Sequence, residues 1–213
     1  MMTQHEGIYS KSFDSKMKDA GVNDRMQENI RRCVAFHTFP APGVLIAAFM
    51  VDYALELLGA SPDQGLYAIC ETPKCAPDAL QVIAHTTIGN KRLQVLPIGK
   101  FAMTVNVGSR DTNAEGVRVY VDPRKLKRFP LIENWYNNSP QYTKGSMEMT
   151  LQDDIFRAGR DVLSYERVMV RTSKKPRWKP VTCPKCGEQV PDYLLKDGKC
   201  AACGSHAYYE KIS

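Results

Sequence analysis

The chain has 213 residues, 43% hydrophobic and 24% charged, which supplies one medium core and excludes disorder along its whole length. Its net charge is +6, and four of its seven cysteines form two C-x2-C pairs, which points to thiols and metal rather than a secreted disulfide framework. The opening residues lack an apolar signal core, and the run Val44 to Leu58, interrupted by Asp52 and Glu56, is shorter than the ~20 residues of a membrane span, so we expect a soluble, cytoplasmic protein with no membrane partner.

In chain order, Met1 to Gly21 are polar and read as a loosely docked lead-in. Asn23 is a candidate N-cap for a helix over "DRMQENIRRCVAF", which Pro40 and Pro42 of "HTFPAPG" bring to an end. A second helix, Val44 to Leu58, is apolar on nearly every side and is expected to be central, with Gly59 as its C-cap. "GLYAICE" reads as a strand, and Asp78 as a cap for a short helix over "ALQVIAHTT". "RLQVLPIGKFAMTVNVG" reads as two strands around a tight turn at Pro97 to Lys100, and "GVRVYVDP" as another strand. "DPRKLKRF" and "PLIENWYNN" read as short helical or irregular pieces, and "LQDDIFRAGRDVLSYERV" has helical spacing. Helices, then antiparallel strands, then a helix argue an α+β core over residues 1–175, with a small second domain over 176–213.

That second domain is too short for a self-sufficient apolar core. It carries Cys183, Cys186, Cys200 and Cys203 as two C-x2-C turns, each followed by glycine, with an Asp-Gly hairpin signal between them. Two such turns present four sulfurs in the tetrahedral arrangement zinc favours, so we expect a zinc ribbon, with mononuclear iron as the minor alternative. Four protein ligands make the site structural, and His206 reads as a surface residue. Ahead of it, Arg167 to Pro180 holds Arg167, Arg171, Lys174, Lys175, Arg177 and Lys179 with no acid; it can attract phosphates or serve simply as a solvated linker.

In the larger domain His37, Cys75 and His85 each lie at an element boundary and would form a second transition-metal site if the fold gathers them. Asp78 could orient a histidine from behind. Each taken singly also has a plain structural reading. Cys33 and Cys70 fall inside a helix and a strand and are expected in the core.

"FHTFPAPGVLIAAFMVDYALELLG" and "ETPKCAPDALQVIAHTTIGNKRLQVLPIGKFAMTV" resemble the FmdE-like family of formylmethanofuran dehydrogenase proteins, over roughly residues 25 to 168. In that family an HGHxCPG-type motif starts a long helix, an E-T-x-x-C-x-x-D segment follows a strand, and a G-C-T-x-G-x-x-x-L-like segment comes next. His37, Pro42 and Gly43 match the first, Glu71, Cys75 and Asp78 the second, and Thr87, Gly89 and Leu93 the third. Phe39 and Ala41 stand where the second histidine and the cysteine would be, and His85-Thr86 replaces Gly-Cys. The resemblance implies an α+β core that forms a homodimer, a C-terminal zinc-ribbon-like tail, and a metal-associated cleft that includes His37 and Cys75; that His85 replaces a lost ligand there, with Asp78 and Thr86 behind, is our own reading and not a feature of the family. The resemblance also implies an accessory role beside molybdenum or tungsten formylmethanofuran chemistry, with a protein partner or small ligand. The alternative is a nucleic-acid or protein adaptor using the basic linker and ribbon. A third reading makes Cys75 a nucleophile with His37 or His85 as base, although no complete catalytic constellation is present.

Overall fold

An N-terminal helix forms where the sequence suggested only a lead-in. Helix α1 (Lys11–Asp19) buries Phe13 and Met17, four residues apart and therefore on one helical face. Phe13 meets Phe156 edge-on with ring centroids 5.4 Å apart, and Lys16 donates to Asp153 at 3.0 Å and to Met149 O at 2.7 Å, so two apolar and one charged side chain dock an otherwise polar segment. The computed structural model describes residues 11–109, 113–171, 177–207, 209, 210 and 212. The chain divides into two compact units, Met1–Thr172 and Ser173–Ser213. The boundary at Pro176 and the linker lysines Lys174 and Lys175 lie outside the described residues.

Helix α2 (Asp24–His37) starts at Asn23, whose side chain accepts from the Met26 N–H at 2.9 Å. It ends at Thr38 in the left-handed region. Helix α3 (Pro42–Leu58) opens with Pro42 at its first turn and closes on Gly59 at φ 60. It buries every residue from Gly43 to Asp52, as its all-round apolarity demands. Asp52 is tolerated there because Arg25 and Arg160 hold its two oxygens at 2.6 and 2.5 Å.

Strand β1 (Leu66–Cys70) leads through helix α4 (Ala76–Ile83) into β2 (Leu93–Val95), then β3 (Ala102–Val107) and β4 (Asn113–Val121). Short helices α5 (Pro123–Leu126) and α6 (Pro130–Tyr136) and the longer α7 (Glu148–Ala158) follow. Strand β5 (Leu163–Arg171) completes a sheet of order β2-β1-β3-β4-β5. The pairings are antiparallel except β1 with β2.

Two expectations need correction. β2 and β3 are not a hairpin about Pro97–Lys100: β1 lies between them, and β2 runs parallel to β1, the direction that the α4 crossover permits. The helix expected over residues 151–168 stops at Gly159, φ 47, and Leu163 onward is a strand. Its "LSYERVMV" carries no clean two-residue alternation, and the register against β4, Leu163 opposite Val121 to Arg171 opposite Asn113, is what makes it a strand.

Leu66, Ala68, Cys70, Met103, Val105, Val117, Val119 and Val121 form the buried face of the sheet, against which α3 packs. On the opposite face Arg118 donates to both oxygens of Glu71 at 2.6 and 3.0 Å and to Glu166 at 3.2 Å. This ties β1's end to β4 and β5 across β3. The smaller unit contains a two-stranded sheet, β6 (Pro180–Thr182) with β7 (Gln189–Pro191). Among the described residues no helix is long and apolar enough to cross a membrane.

Candidate functional site

The four cysteines of the smaller unit come together. Their sulfurs all lie within 4.8 Å of one another, and among the described residues they are the only group of three or more His, Cys, Asp or Glu side chains placed to share an ion. The first turn is closed by Gly187 N–H to Cys183 O at 2.8 Å, with Gly187 at φ 77. The second is closed by Cys203 N–H to Cys200 O at 3.0 Å. Cys200 N–H also donates to Cys183 Sγ at 3.4 Å, and that donor leads the causes that pull the Cys183 thiol down to about 6. Burial and the neighbouring thiols push Cys203 up to about 12. The Cys183 thiolate is thus favoured by the backbone, and a thiolate at Cys203 needs a cation to balance it.

The donor set can be tested against a metal directly. In a tetrahedron with metal–sulfur bonds of about 2.3 Å, the sulfurs are about 3.8 Å apart. Cys186 Sγ and Cys200 Sγ stand 3.9 Å apart. With that pair at tetrahedral spacing and all four sulfurs within 4.8 Å, the thiols can close around a tetrahedral ion and leave it no open position.

The larger unit gathers only part of the second constellation. His37 is the last residue of α2, and its Nδ1 lies 2.6 Å from Asp78 Oδ2 in the first turn of α4. An ionised carboxylate only accepts, so Nδ1 carries the proton and Nε2 is the nitrogen left with a lone pair for a ligand. Asp78 is therefore not the helix cap. That position belongs to Cys75, which makes no side-chain capping bond.

Cys75 sits at φ 50, ψ −51, with the Ala76 N–H reaching back to Lys74 O. This is a γ-turn of the rare positive-φ kind, and such strain persists only where the surroundings enforce it. The enforcing neighbour is α3. A Cβ on Gly43 would stand 2.9 Å from Cys75 Sγ and 3.6 Å from the Phe101 ring. The glycine of the Pro-Gly pair therefore lets the start of α3 approach the cysteine. Phe101 has no signal in the sequence beyond being an aromatic after a turn. Burial pushes the Cys75 thiol up, helped by the Asp78 charge, which opposes the nucleophile reading because the thiolate is the reactive form.

Phe39 and Ala41 have taken structural roles. The Phe39 ring lies 4.9 Å from the His37 ring and tilted to it, and Ala41 is the N-cap residue of α3. His85 and Thr86 are not brought to this corner. Cys75 and His85 flank opposite ends of α4, an eight-residue helix about 12 Å long. His85, at φ 54, instead lines a separate cleft of about 370 Å³ with Arg25, Arg32, Asp52 and Glu56. The Thr86 hydroxyl donates to Leu80 O at 3.2 Å and closes the helix end. Cys33 and Cys70 are fully buried, and burial pushes their thiols up to about 12 and about 11.

Comparison with known proteins places these features in context. Residues 36–170 match the family described as FmdE, molybdenum formylmethanofuran dehydrogenase operon. A crystal structure of a tungsten formylmethanofuran dehydrogenase FmdE-like protein from Syntrophus aciditrophicus is 35% identical, with a TM-score of 0.72, over 87% of this chain and 95% of that one. A probable S-adenosyl-L-methionine-binding protein of Archaeoglobus fulgidus is 27% identical over 94% of this chain. The present chain spans 61% of that relative's length.

Proposed function

The chain belongs to the FmdE family, and from that premise we propose that it is a metal-binding accessory protein with a structural zinc ion in its C-terminal ribbon. The observation that carries the reading is the closed tetrad of sulfurs at tetrahedral spacing. Zinc suits it because four thiolates and no open position are the hallmark of a structural zinc site. Bound there, the ion supplies folding free energy to a unit with little apolar core. We place the family-specific ligand site at the corner of His37, Asp78 and Cys75; as they stand these side chains are not placed to share an ion, so the site takes a small molecule, or a second transition metal that draws them together. His37 offers one nitrogen, Asp78 fixes its ring and Cys75 offers sulfur. We extend the proposal to an accessory role beside formylmethanofuran chemistry and to a homodimer in the cytoplasm, a reading that family membership supports.

Metal analysis of the purified full chain beside Cys183→Ser/Cys200→Ser tests this reading. One equivalent of zinc in the parent, lost in the variant, supports the ribbon. Metal remaining in the variant and removed by His37→Ala supports the corner. A parent with no zinc after expression in zinc-replete medium overturns the zinc assignment.

A second reading is favoured by the cleft at His85. It combines Arg25 and Arg32 with Asp52 and Glu56, beside Leu55 and Ile83, and its volume of about 370 Å³ is that of a small-ligand site. With Arg25 already paired to Asp52, Arg32 and the exposed Glu56 beside apolar surface suit a ligand that carries charge of both signs next to a flat apolar ring, and the Archaeoglobus relative's name supplies a candidate, S-adenosylmethionine, with its carboxylate, ammonium, sulfonium and adenine. Calorimetric titration should show saturable binding that weakens in Glu56→Gln/Arg32→Gln. No heat at millimolar ligand rejects it.

A further inference from the structure

The ribbon unit exposes more than a metal clip requires. Trp178 and Tyr193 are 53% and 54% exposed, and Leu194 47%. Trp178 precedes β6 and Tyr193 follows β7. The Asp192 N–H donates to Lys179 O at 2.9 Å, extending the ladder beyond the paired Pro180 and Pro191. Both aromatic side chains therefore leave the hairpin at the same end. Large flat apolar surfaces left in water on so small a unit mark a contact surface.

Charge is concentrated in the same unit. Residues Ser173–Ser213 hold eight Lys and Arg against four Asp and Glu, so they carry +4 of the chain's +6. A dication on four thiolates lowers that to +2, so placement matters more than the sum. Lys196 and Lys199 are direct partners across the Asp197-Gly198 turn, each N–H donating to the other's carbonyl, at 3.0 and 2.9 Å. Both are exposed. Like charges directly opposite on a ladder are unfavourable, and an anion beside them reverses the sign. Lys196 follows Tyr193 by one short 3-10 turn, Asp192–Leu194, and Arg177 and Lys179 flank Trp178.

A ligand that satisfies both features must carry flat apolar faces and regularly spaced negative charge. A duplex shows the charge and hides its base faces; an acidic protein segment has charge without the flat faces. We propose that the ribbon unit binds single-stranded nucleic acid. Trp178 and Tyr193 stack on bases, while Arg177, Lys179, Lys196 and Lys199 contact phosphates. The proposal is independent of what the larger unit binds.

The test is fluorescence anisotropy of the full-length, zinc-loaded protein with labelled single strands of about fifteen nucleotides, thymidine and uridine, against a duplex of equal length. Single strands should bind more tightly than the duplex. Trp178→Ala/Tyr193→Ala should weaken binding by roughly 10-fold or more, given the usual contribution of stacking per base. Lys196→Gln/Lys199→Gln should reduce the slope of log affinity against log salt by about 1.4, the loss of two phosphate contacts. Zinc content of each variant confirms that the unit is folded. No binding at low salt, a duplex preference, or unchanged affinity in the zinc-loaded aromatic variant overturns the proposal. Polyglutamate displacing the strand at equal charge concentration also overturns it, in favour of an acidic protein partner.

Discussion

Gly43 shows how one residue's missing atom can set a site. In the first turn of a helix, Gly→Ala ordinarily stabilises by about 0.5–1 kcal/mol, because alanine loses less backbone entropy. Here the added Cβ would sit 2.9 Å from Cys75 Sγ and 3.0 Å from its Cβ. Sulfur can rotate away; the Cβ can move only with the strained turn that carries it. Overpacking typically costs about 1–3 kcal/mol, so it should outweigh the propensity gain. Gly43→Ala should lower the urea midpoint, and a midpoint at or above the parent's would mean that the turn at Cys75 yields freely. The glycine itself was legible in "PAPG", but its reason was not, because the contact joins residues far apart in sequence. His37 and Asp78 were partly legible: the sequence suggested that Asp78 could orient a histidine, but not which one.

At the scale of elements, local chemistry predicted most helix ends. Asn23 and Gly59 stand where a side-chain cap and a left-handed residue suggest, whereas Pro42, read as ending α2, opens α3 instead. What failed was the switch from α7 to β5, where the apolar spacing shows no clean two-residue period and only Gly159 marks the change. Asp122 joins the elements on either side of that segment. It caps α5 through the Arg124 N–H at 2.9 Å and accepts from the Ser164 hydroxyl on β5 at 2.8 Å. The Arg124 guanidinium, then the Ser164 hydroxyl and the capping N–H, hold its carboxyl well below the usual range against the opposing effect of burial. Its folded pKa is therefore below its unfolded one. The stabilisation is complete above about pH 4, the unfolded value, and is lost as pH falls through the folded value. The urea midpoints of parent and Asp122→Asn should differ most above about pH 4 and converge in stronger acid. A constant gap down to the lowest accessible pH would assign the loss to geometry rather than charge.

For the whole molecule, the α+β class was readable from element order, and the ribbon from cysteine spacing, since both are repeated local signals. The strand order was not. A short β2 beside β1 depends on α4 crossing between them, and "RLQVLPIGKFAMTV" alone looks like a hairpin. The same α4, which the sequence did show, holds Cys75 and His85 at its opposite ends.

The position of β5 bears on how the chain is made. Until it arrives, β4 offers a nine-residue backbone edge with nothing paired to it, while the whole segment from α5 to α7 has still to be synthesised. An open edge of that length is a template for another nascent chain. Arg118, half-buried on β4, puts a positive charge on that waiting strand, and charge on an edge discourages pairing with a second copy of itself. The side chain that later clasps Glu166 is thus also a guard during synthesis, on an edge where only Glu71, made earlier, is there to pair with it.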